Sequence, residues 1–333
     1  MGRTIACANQ KGGVGKTTTV VNLATYLALA GDRVLVIDLD PQGNATSGFG
    51  IDKSTVERSV YDTFTGALHL PALIRETKVA RLDIVPSSVA LAGAEVELAP
   101  LDQRERRLAR ELPSVTEHYD HILIDCPPSL GLLTVNALTA ADAVLVPIQC
   151  EYYALEGLGQ LLGTIDLVRD HLNPTLSIEG VLLTMFDPRT NLSSEVAAEV
   201  RRHLPHSVFK TIIPRSVRLS EAPSFGLPIA LYRGDSKGAA AYMLNRRAAE
   251  TFVRRLARAD VLTRDPLVEA ATVGDYPARL QRTVQRRFQR SAGISMAAFR
   301  QIERARRRFV AVTAIEDLEL FARAFEMLLA QAD

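Results

Sequence analysis

A glycine-rich stretch near the start of the chain constrains the fold more than any other feature. Residues 9–19 read N-Q-K-G-G-V-G-K-T-T-T, after an apolar run typical of a β-strand at 4–8 and before a helix-like run at 20–30. Glycines let the backbone turn so that several N–H groups point at one anion, and the dipole of the following helix adds to the attraction. A strand, such a turn and a helix in this order predict a phosphate-binding loop.

The end of this stretch is close to the Walker A pattern G-x-x-x-x-G-K-[ST], with Gly15, Lys16 and Thr17 in the last three positions. In such loops the lysine pairs with the β- and γ-phosphates, and the threonine supplies a hydroxyl to magnesium. Thr18 is expected to reach the region of the α-phosphate. The nucleotide-binding residues predicted from the loop are Lys11, Gly12, Gly13, Val14, Gly15, Lys16, Thr17 and Thr18.

Carboxylates follow two further strand-like runs. The first run, 33–38, leads into D-L-D-P-Q-G-N, which places Asp38 and Asp40 one residue apart; the second, 121–125, ends at Asp125 before two prolines. Phosphoryl transfer needs positioned water, metal and positive charge more than covalent help, and paired carboxylates can serve both a magnesium site and a nucleophilic water. The second run is typical of a Walker B strand, so the predicted magnesium-binding residues are Thr17, Asp38 and Asp125.

Strand-like and helix-like runs alternate along the first 258 residues. Strands separated by helices need crossover connections, which predicts an α/β fold with a mostly parallel sheet flanked by helices. Ligands bind such sheets at the carboxyl ends of the strands, where the predicted nucleotide-site motifs all lie. The predicted strands are 3–8, 33–38, 82–86, 121–125, 143–148, 178–185 and 210–213. The predicted helices are 17–30, 58–65, 103–112, 130–139, 154–171, 193–203 and 237–258.

The glycine-rich loop departs from the Walker A pattern in an informative way, because Gln10 stands where the first glycine is expected and a second lysine, Lys11, precedes the glycines. It resembles the deviant Walker A loop of the ParA/MinD group of dimerising ATPases. That resemblance implies ATP, Mg²⁺ and an ATP-bound homodimer in which Lys11 reaches the partner's nucleotide. The D-x-D-P-Q-G-N motif is similar to that of partition ATPases and implies that Asp40 orients the attacking water. The predicted catalytic residues are Lys11, Lys16 and Asp40.

Three later segments resemble the chromosomal ParA/Soj proteins, and the resemblance extends over roughly residues 1–255. They read Q-C-E-Y-Y-A-L-E-G from 149, F-D-P-R-T-N from 186 and I-P-R-S-V-R-L-S-E-A-P-S from 213. The resemblance implies that the dimer binds DNA without sequence preference and that a ParB-type centromere-binding protein stimulates hydrolysis. It further implies a cytoplasmic, nucleoid-associated protein in which Pro214 belongs to the ATP site. The DNA contacts that it implies are Arg189, Arg215 and Arg218.

Length and composition favour one large domain and a smaller one. The 333 residues are 47% hydrophobic, no apolar run approaches the length of a membrane span, and the N-terminus shows no secretory signal. The three cysteines lie in or beside strand-like runs without C-x-x-C spacing, which predicts buried, reduced thiols. We expect a ParA-type P-loop ATPase domain at 1–258 and a helical extension at 259–333.

The extension carries a concentrated positive charge. Residues 276–308 hold ten arginines against one acid, Glu303, and 284–295 resembles the second helix-turn-helix of AraC-type regulators, about half of the usual module. One interpretation is an added DNA-binding element, with Arg282, Arg286 and Arg287 as contacts. The other is an arginine-rich helical tail that packs on the ATPase domain or on a second subunit. The last helix-like run, 315–330, has an acidic polar face, which favours packing over membrane binding.

The sequence therefore predicts an ATP-dependent partition ATPase that does not bind membranes. Two alternatives stay open. One is a transcriptional regulator in which ATP switches dimerisation, and a defined operator sequence would favour it. The other is a MinD-like positioning ATPase, which ATP-dependent binding to liposomes would support.

Overall fold

The computed structural model describes residues 2–151, 154–204 and 207–243, which make up most of the predicted ATPase domain. The predicted extension at 259–333 lies outside the described residues, with its proposed DNA contacts Arg282, Arg286 and Arg287. The same holds for the end of the helix predicted at 237–258.

An eight-stranded sheet forms the centre of this part of the chain. The strands are β1 (Arg3–Cys7), β2 (Val34–Asp38), β3 (Arg75–Glu76), β4 (Leu82–Val85), β5 (His121–Asp125), β6 (Ala143–Gln149), β7 (Ser177–Phe186) and β8 (Val208–Pro214). Their order is β3-β4-β2-β5-β1-β6-β7-β8. The short edge strand β3 pairs antiparallel with β4, and the remaining pairings are parallel. The predicted mostly parallel α/β fold is confirmed.

Helices connect the strands, as a parallel sheet requires. They are α1 (Lys16–Leu29), α2 (Asn44–Gly48), α3 (Val60–Thr65), α4 (Leu91–Leu98), α5 (Arg107–Glu111), α6 (Pro113–Thr116), α7 (Leu132–Ala140), α8 (Ala154–His171), α9 (Asn191–His203), α10 (Val217–Glu221), α11 (Ile229–Arg233) and α12 (Lys237–Met243). Four short 3-10 helices lie at Lys53–Thr55, Leu70–Leu73, Arg104–Arg106 and Ala222–Phe225.

The predicted seven strands all exist, with ends that shift by no more than a few residues, but several short elements were not predicted. The edge strand β3 and the helices α2, α4, α6, α10 and α11 are too short to show a clear sequence period. The helix predicted at 103–112 is wrong in its first turn. Gln103 has a left-handed backbone with a φ of 52°, a 3-10 turn comes after it, and α5 begins only at Arg107.

The central strands are buried on both faces, which explains their continuous apolar sequences. All five residues of β2, V-L-V-I-D, are buried, and β5 and β1 are buried except at their first residues. The predicted buried thiols are also confirmed, since Cys7, Cys126 and Cys150 are buried and free. Within the described residues, no helix is long and apolar enough to cross a membrane.

Candidate functional site

The glycine-rich loop lies at the carboxyl end of β1, between the ends of β5 and β6, and leads directly into α1. Gly13 and Gly15 have φ angles of 75° and 89°, in the left-handed region that glycine adopts without strain. Val14, between them, is buried and anchors the loop to the core.

The backbone of this loop presents unused hydrogen-bond donors. Across the described residues, no protein acceptor takes a backbone N–H from Gly12 to Thr18, whereas the N–H of Thr19 donates to the carbonyl of Gly15 at 2.9 Å. Consecutive unpaired N–H groups at a helix N-terminus form a site for an anion such as a phosphate chain. The loop geometry therefore fits the triphosphate that the sequence predicts.

Two side chains that the sequence analysis missed hold the loop in place. Asn9 donates from Nδ2 to the carbonyl of Pro147 at 2.7 Å, and its Oδ1 accepts the N–H of Lys11 at 3.0 Å. Thr184 of β7 donates from Oγ1 to the carbonyl of Val14 at 2.8 Å. These bonds tie the loop to β6 and β7. Asn9 could have been found from its place beside the motif, but nothing in the local sequence marks Thr184.

The two lysines of the loop differ in their surroundings. Lys16 is 6% exposed, and its Nζ donates to the carbonyl of Lys11 at 3.2 Å, across the curve of the loop. The side chain of Lys11 is 36% exposed, and its Nζ lies 3.5 Å from Oε2 of Glu151, just beyond β6. The buried cation is thus placed at the floor of the phosphate site, and the exposed one at its rim.

The predicted carboxylates meet at one edge of the sheet. β2 and β5 are neighbours, and their register places Asp38 directly opposite Asp125. Both residues are fully buried, and Asp40 is 6% exposed. The structure thus brings together three acids that are far apart in sequence.

Asp125 is the carboxylate best suited to magnesium. Both of its oxygens are buried without a regular hydrogen-bond donor, although the Thr17 hydroxyl lies near enough to favour the ionised form. Burial, and then the nearby charge of Asp38, raise the pKa of Asp125 well above its usual range. A buried carboxylate without donors is costly unless a cation compensates it. The donor set of Asp125 and Thr17 therefore fits magnesium.

The protein supplies only part of a magnesium shell. The described residues contain no group of three or more His, Cys, Asp or Glu side chains placed to hold a metal. Magnesium at nucleotide sites commonly takes one or two protein oxygens and completes its octahedron with phosphate and water. Bound there, it would neutralise charge on the β- and γ-phosphates.

Asp38 has a fuller set of protein contacts than a metal ligand would need. Its Oδ2 accepts the N–H and the hydroxyl of Thr46 at 2.8 and 2.7 Å, and its Oδ1 accepts the N–H of Asp40 at 3.2 Å. These bonds fix the turn between β2 and α2, which carries Asp40. The role of Asp38 near magnesium stays a prediction, and its visible role is to shape this turn.

Asp40 lies within that turn. Its Oδ1 accepts the N–H of Gln42 at 2.9 Å, and its carbonyl accepts the N–H of Gly43 at 2.8 Å. Gly43 has a φ of 60° immediately before α2. The backbone thus fixes the orientation of the Asp40 carboxylate beside Asp38 and Asp125.

Burial raises the pKa of Asp38 from 3.8 to about 6, despite the opposing hydrogen bonds from Thr46. Between about pH 4 and pH 6 the folded protein then holds a proton that the unfolded chain has lost, so this group makes stability fall as the pH rises through that window. We expect the melting temperature of the nucleotide-free protein to show this fall and Asp38→Asn to show less of it. Melting curves from pH 4.5 to 8 test this, and identical pH profiles for the two proteins would contradict it.

The three arginines expected to contact DNA lie near the carboxyl ends of β7 and β8, and each is paired with an acid. Arg189 makes two bonds to Asp187, at 2.9 and 2.6 Å, which lower the pKa of Asp187 to about 2. Arg218 of α10 donates to Glu221 at 2.7 Å. Arg215 follows Pro214 at the end of β8, and its Nη2 lies 3.5 Å from Oε1 of Glu151.

Pro214 itself pairs in register with Phe186 of β7, three strands away from β1. Its contact with ATP stays a prediction. A cleft of about 440 Å³ instead adjoins the loop at Thr17 and Thr18, between α1, α2 and the 3-10 helix Ala222–Phe225. Its other lining residues, which sequence reasoning missed, are Val21, Asn22, Asn44, Ser47, Gly48, Lys53, Leu219, Ala222, Pro223, Ser224 and Leu227.

Comparisons with known proteins agree with this geometry. A family model described as "AAA domain" matches residues 2–178. The sporulation initiation inhibitor protein Soj of Bacillus subtilis is 59% identical over 243 residues, which cover 73% of this chain and 96% of that protein. The chromosome partitioning protein ParA of Myxococcus xanthus is 54% identical and is covered to 86% by a match over 73% of this chain. The chain belongs to the ParA/Soj family of chromosome-partitioning ATPases.

Solved structures extend the likeness to the bound groups. Cobyrinic acid a,c-diamide synthase of Mycobacterium smegmatis, with bound ADP and magnesium, is 41% identical with a TM-score of 0.62, over 72% of this chain and 97% of that one. A plasmid partition protein of Borrelia burgdorferi bound to AMPPNP is 25% identical with a TM-score of 0.62, over 77% of this chain and all of that one. This ParA/Soj-family chain is an ATPase that uses ATP and Mg²⁺.

Proposed function

We propose that this chain works as an ATP-switched homodimer that binds DNA without sequence preference and drives chromosome or plasmid partitioning with a ParB-type partner. The observation that carries the proposal is the position of Lys11. Its side chain is 36% exposed at the rim of a phosphate loop whose own lysine, Lys16, is already buried. An exposed second lysine beside the phosphates is available to a nucleotide on another subunit.

The proposed hydrolytic machinery is built from contacts within one subunit. Lys16 and the free N–H groups of the loop bind the phosphates, and Thr17 with Asp125 holds magnesium. Asp40 orients the attacking water, because its carboxylate is held by the backbone of its turn at the same edge of the sheet. Loss of the γ-phosphate then removes the anion that holds Lys11 across the interface, which opens the dimer.

The proposed DNA surface consists of Arg189, Arg215 and Arg218, with Arg282, Arg286 and Arg287 as further contacts outside the described residues. In the free chain the first three arginines are each paired with a carboxylate. DNA phosphates would have to replace these carboxylates, so binding is expected to be weak for a single subunit and stronger for a dimer that presents both sets. Such a dimer would reside on nucleoid DNA in the cytoplasm.

DNA binding in different nucleotide states tests the proposal. We expect the protein to bind two unrelated duplexes equally with ATP and weakly with ADP, and Gly12→Val to lose the ATP effect because Gly12 is exposed at the phosphate face. Each arginine that contacts a phosphate should lower the salt slope of log K by about 0.9 when it is replaced by alanine. Fluorescence anisotropy over a salt series measures both quantities, with Arg189→Ala and Arg218→Ala as variants.

Matched controls make the result specific. Gly159→Val adds the same side chain in α8, where nothing lies within 4 Å of the new Cβ, and Arg202→Ala removes an arginine that is paired with Glu199 on α9. Both should bind DNA like the wild type. Binding that ignores the nucleotide, or that prefers one duplex, would refute the proposal and favour the transcriptional regulator instead.

A further inference from the structure

Glu151 stands beside the phosphate loop because of the strand order. It lies two residues beyond the end of β6, and β6 pairs with β1, from which the loop begins. The backbone N–H of Glu151 donates to the carbonyl of Gln149 at 2.8 Å, which turns the chain at this point. The turn presents the carboxylate toward the rim where Lys11 lies.

The carboxylate of Glu151 contacts two cations that the proposed function uses for different purposes. Its Oε2 lies 3.5 Å from Nζ of Lys11, and its Oε1 lies 3.5 Å from Nη2 of Arg215. The Oε1 atom also accepts a hydrogen bond from Nε2 of Gln149 at 2.5 Å. One acid thus joins the loop that binds nucleotide to the segment that follows β8.

These contacts are suited to exchange more than to stability. The side chains of Lys11, Glu151 and Arg215 are 36%, 43% and 58% exposed. Ion pairs this accessible to water contribute little to folding, so the arrangement can be broken without unfolding the site. The backbone of Lys11, in contrast, is fixed by Asn9 and by Nζ of Lys16. Only the end of the Lys11 side chain is left to move.

We propose that Glu151 is a positioning residue that holds Lys11 within its own subunit until a partner's nucleotide competes for the lysine. The proposal rests on the ATP-bound dimer described above. In the free chain Glu151 keeps the ammonium group at the rim. On dimerisation a phosphate, which carries more negative charge than one carboxylate, replaces it.

Arg215 makes this exchange easier. When Lys11 leaves, the Glu151 carboxylate still has the guanidinium of Arg215 and the amide of Gln149 as partners, so no charge is stranded. Without Arg215, Lys11 would be the only cation on Glu151 among the described residues, and the lysine would be held more firmly. Loss of the acid and loss of the arginine should therefore change dimerisation in opposite directions.

The test is sedimentation velocity of the full chain with Mg²⁺ and AMPPNP, without DNA, over a range of protein concentrations. Each dimer releases two lysines, and an exposed pair is worth about 0.2–1 kcal/mol, so Glu151→Gln should lower the dimer dissociation constant by about 2- to 30-fold. Arg215→Ala should raise it by no more than a similar factor. Glu199→Gln, which breaks a comparable surface pair with Arg202 on α9, is the control and should leave the constant unchanged.

The sign of the two shifts separates positioning from a merely structural role. If Glu151 only supported the fold, both variants would weaken the dimer and lower the melting temperature. A wild-type dimer with no shift in Glu151→Gln, or with shifts of the same sign in both variants, would overturn the proposal and leave the proposed function standing. If neither the wild type nor any variant dimerises with AMPPNP, the proposed function and this inference both fail.

Discussion

Lys16→Ala is expected to abolish ATP binding and hydrolysis and, with them, dimerisation. Lys16 is the buried cation of the loop, and its Nζ lies 3.2 Å from the carbonyl of Lys11, in the curve where the unpaired N–H groups of the loop converge. Removing a cation that stabilises charge on transferring phosphates typically costs 10²- to 10³-fold in rate, and the loss of a charge-assisted bond weakens binding as well. We therefore expect ATPase activity to fall by about 10²-fold or more.

The substitution should leave the fold intact. Lys16 is the first residue of α1, where alanine is readily accommodated, and the change removes a single hydrogen bond within the loop. Binding of a fluorescent ATP analogue and release of phosphate measure the effect, and a thermal melt checks the fold. Lys210→Ala, which removes an exposed lysine of β8, serves as the control. Wild-type nucleotide affinity in Lys16→Ala would contradict the assignment of the phosphate site.

Local patterns predicted the parts of the site that are built from short sequence segments. The glycine spacing placed the phosphate loop between β1 and α1, and apolar runs that end in Asp38 and Asp125 placed both acids at strand ends. The rule that ligands bind at the carboxyl ends of parallel strands then brought these segments to one edge. Each of these inferences needs only residues that are close in sequence.

What the sequence left open depends on strand order and on side-chain partners. Nothing local shows that β5 lies between β1 and β2, which is why Asp38 faces Asp125. The contacts that Glu151 makes with Lys11 and Arg215 join segments separated by 140 and 64 positions. The loop-anchoring role of Thr184 is likewise long-range, since 170 positions separate it from Val14. Sequence patterns carry no information about such pairs.

The structure also refines the predicted division of work between the two acids after β2. The sequence treats Asp38 and Asp40 as a pair, one near magnesium and one beside the water. The hydrogen bonds distinguish them, because Asp38 uses three of its acceptor sites on Thr46 and Asp40, whereas Asp40 accepts only the N–H of Gln42 at its carboxylate among the described residues. Asp40 thus keeps acceptor capacity for a water molecule, which makes it the sharper target for mutation.

Asp40→Ala is expected to separate ATP binding from ATP hydrolysis. The phosphates are bound by Lys16 and by the N–H groups of the loop, none of which contacts the Asp40 side chain, so the affinity for ATP should stay within a few-fold of the wild type. A side chain that positions or deprotonates the nucleophile typically contributes 10²- to 10⁴-fold, so hydrolysis should fall by about that factor. The variant should therefore accumulate as an ATP-bound dimer that stays on DNA.

The comparison with Asp40→Asn shows which property of the carboxylate matters. Asparagine can still accept the N–H of Gln42 and keep the turn before α2, but it lacks the charge that orients and polarises the water. If charge is what counts, both variants lose hydrolysis and both retain ATP; if Asp40 only shapes the turn, Asp40→Asn keeps wild-type turnover and Asp40→Ala loses it together with ATP affinity. Single-turnover hydrolysis and ATP binding, with Asp235→Asn as an exposed control, distinguish these outcomes. Rapid hydrolysis by both Asp40 variants would move the water-positioning role to another residue, with Asp38 next to be tested because it faces Asp125 across the same edge of the sheet.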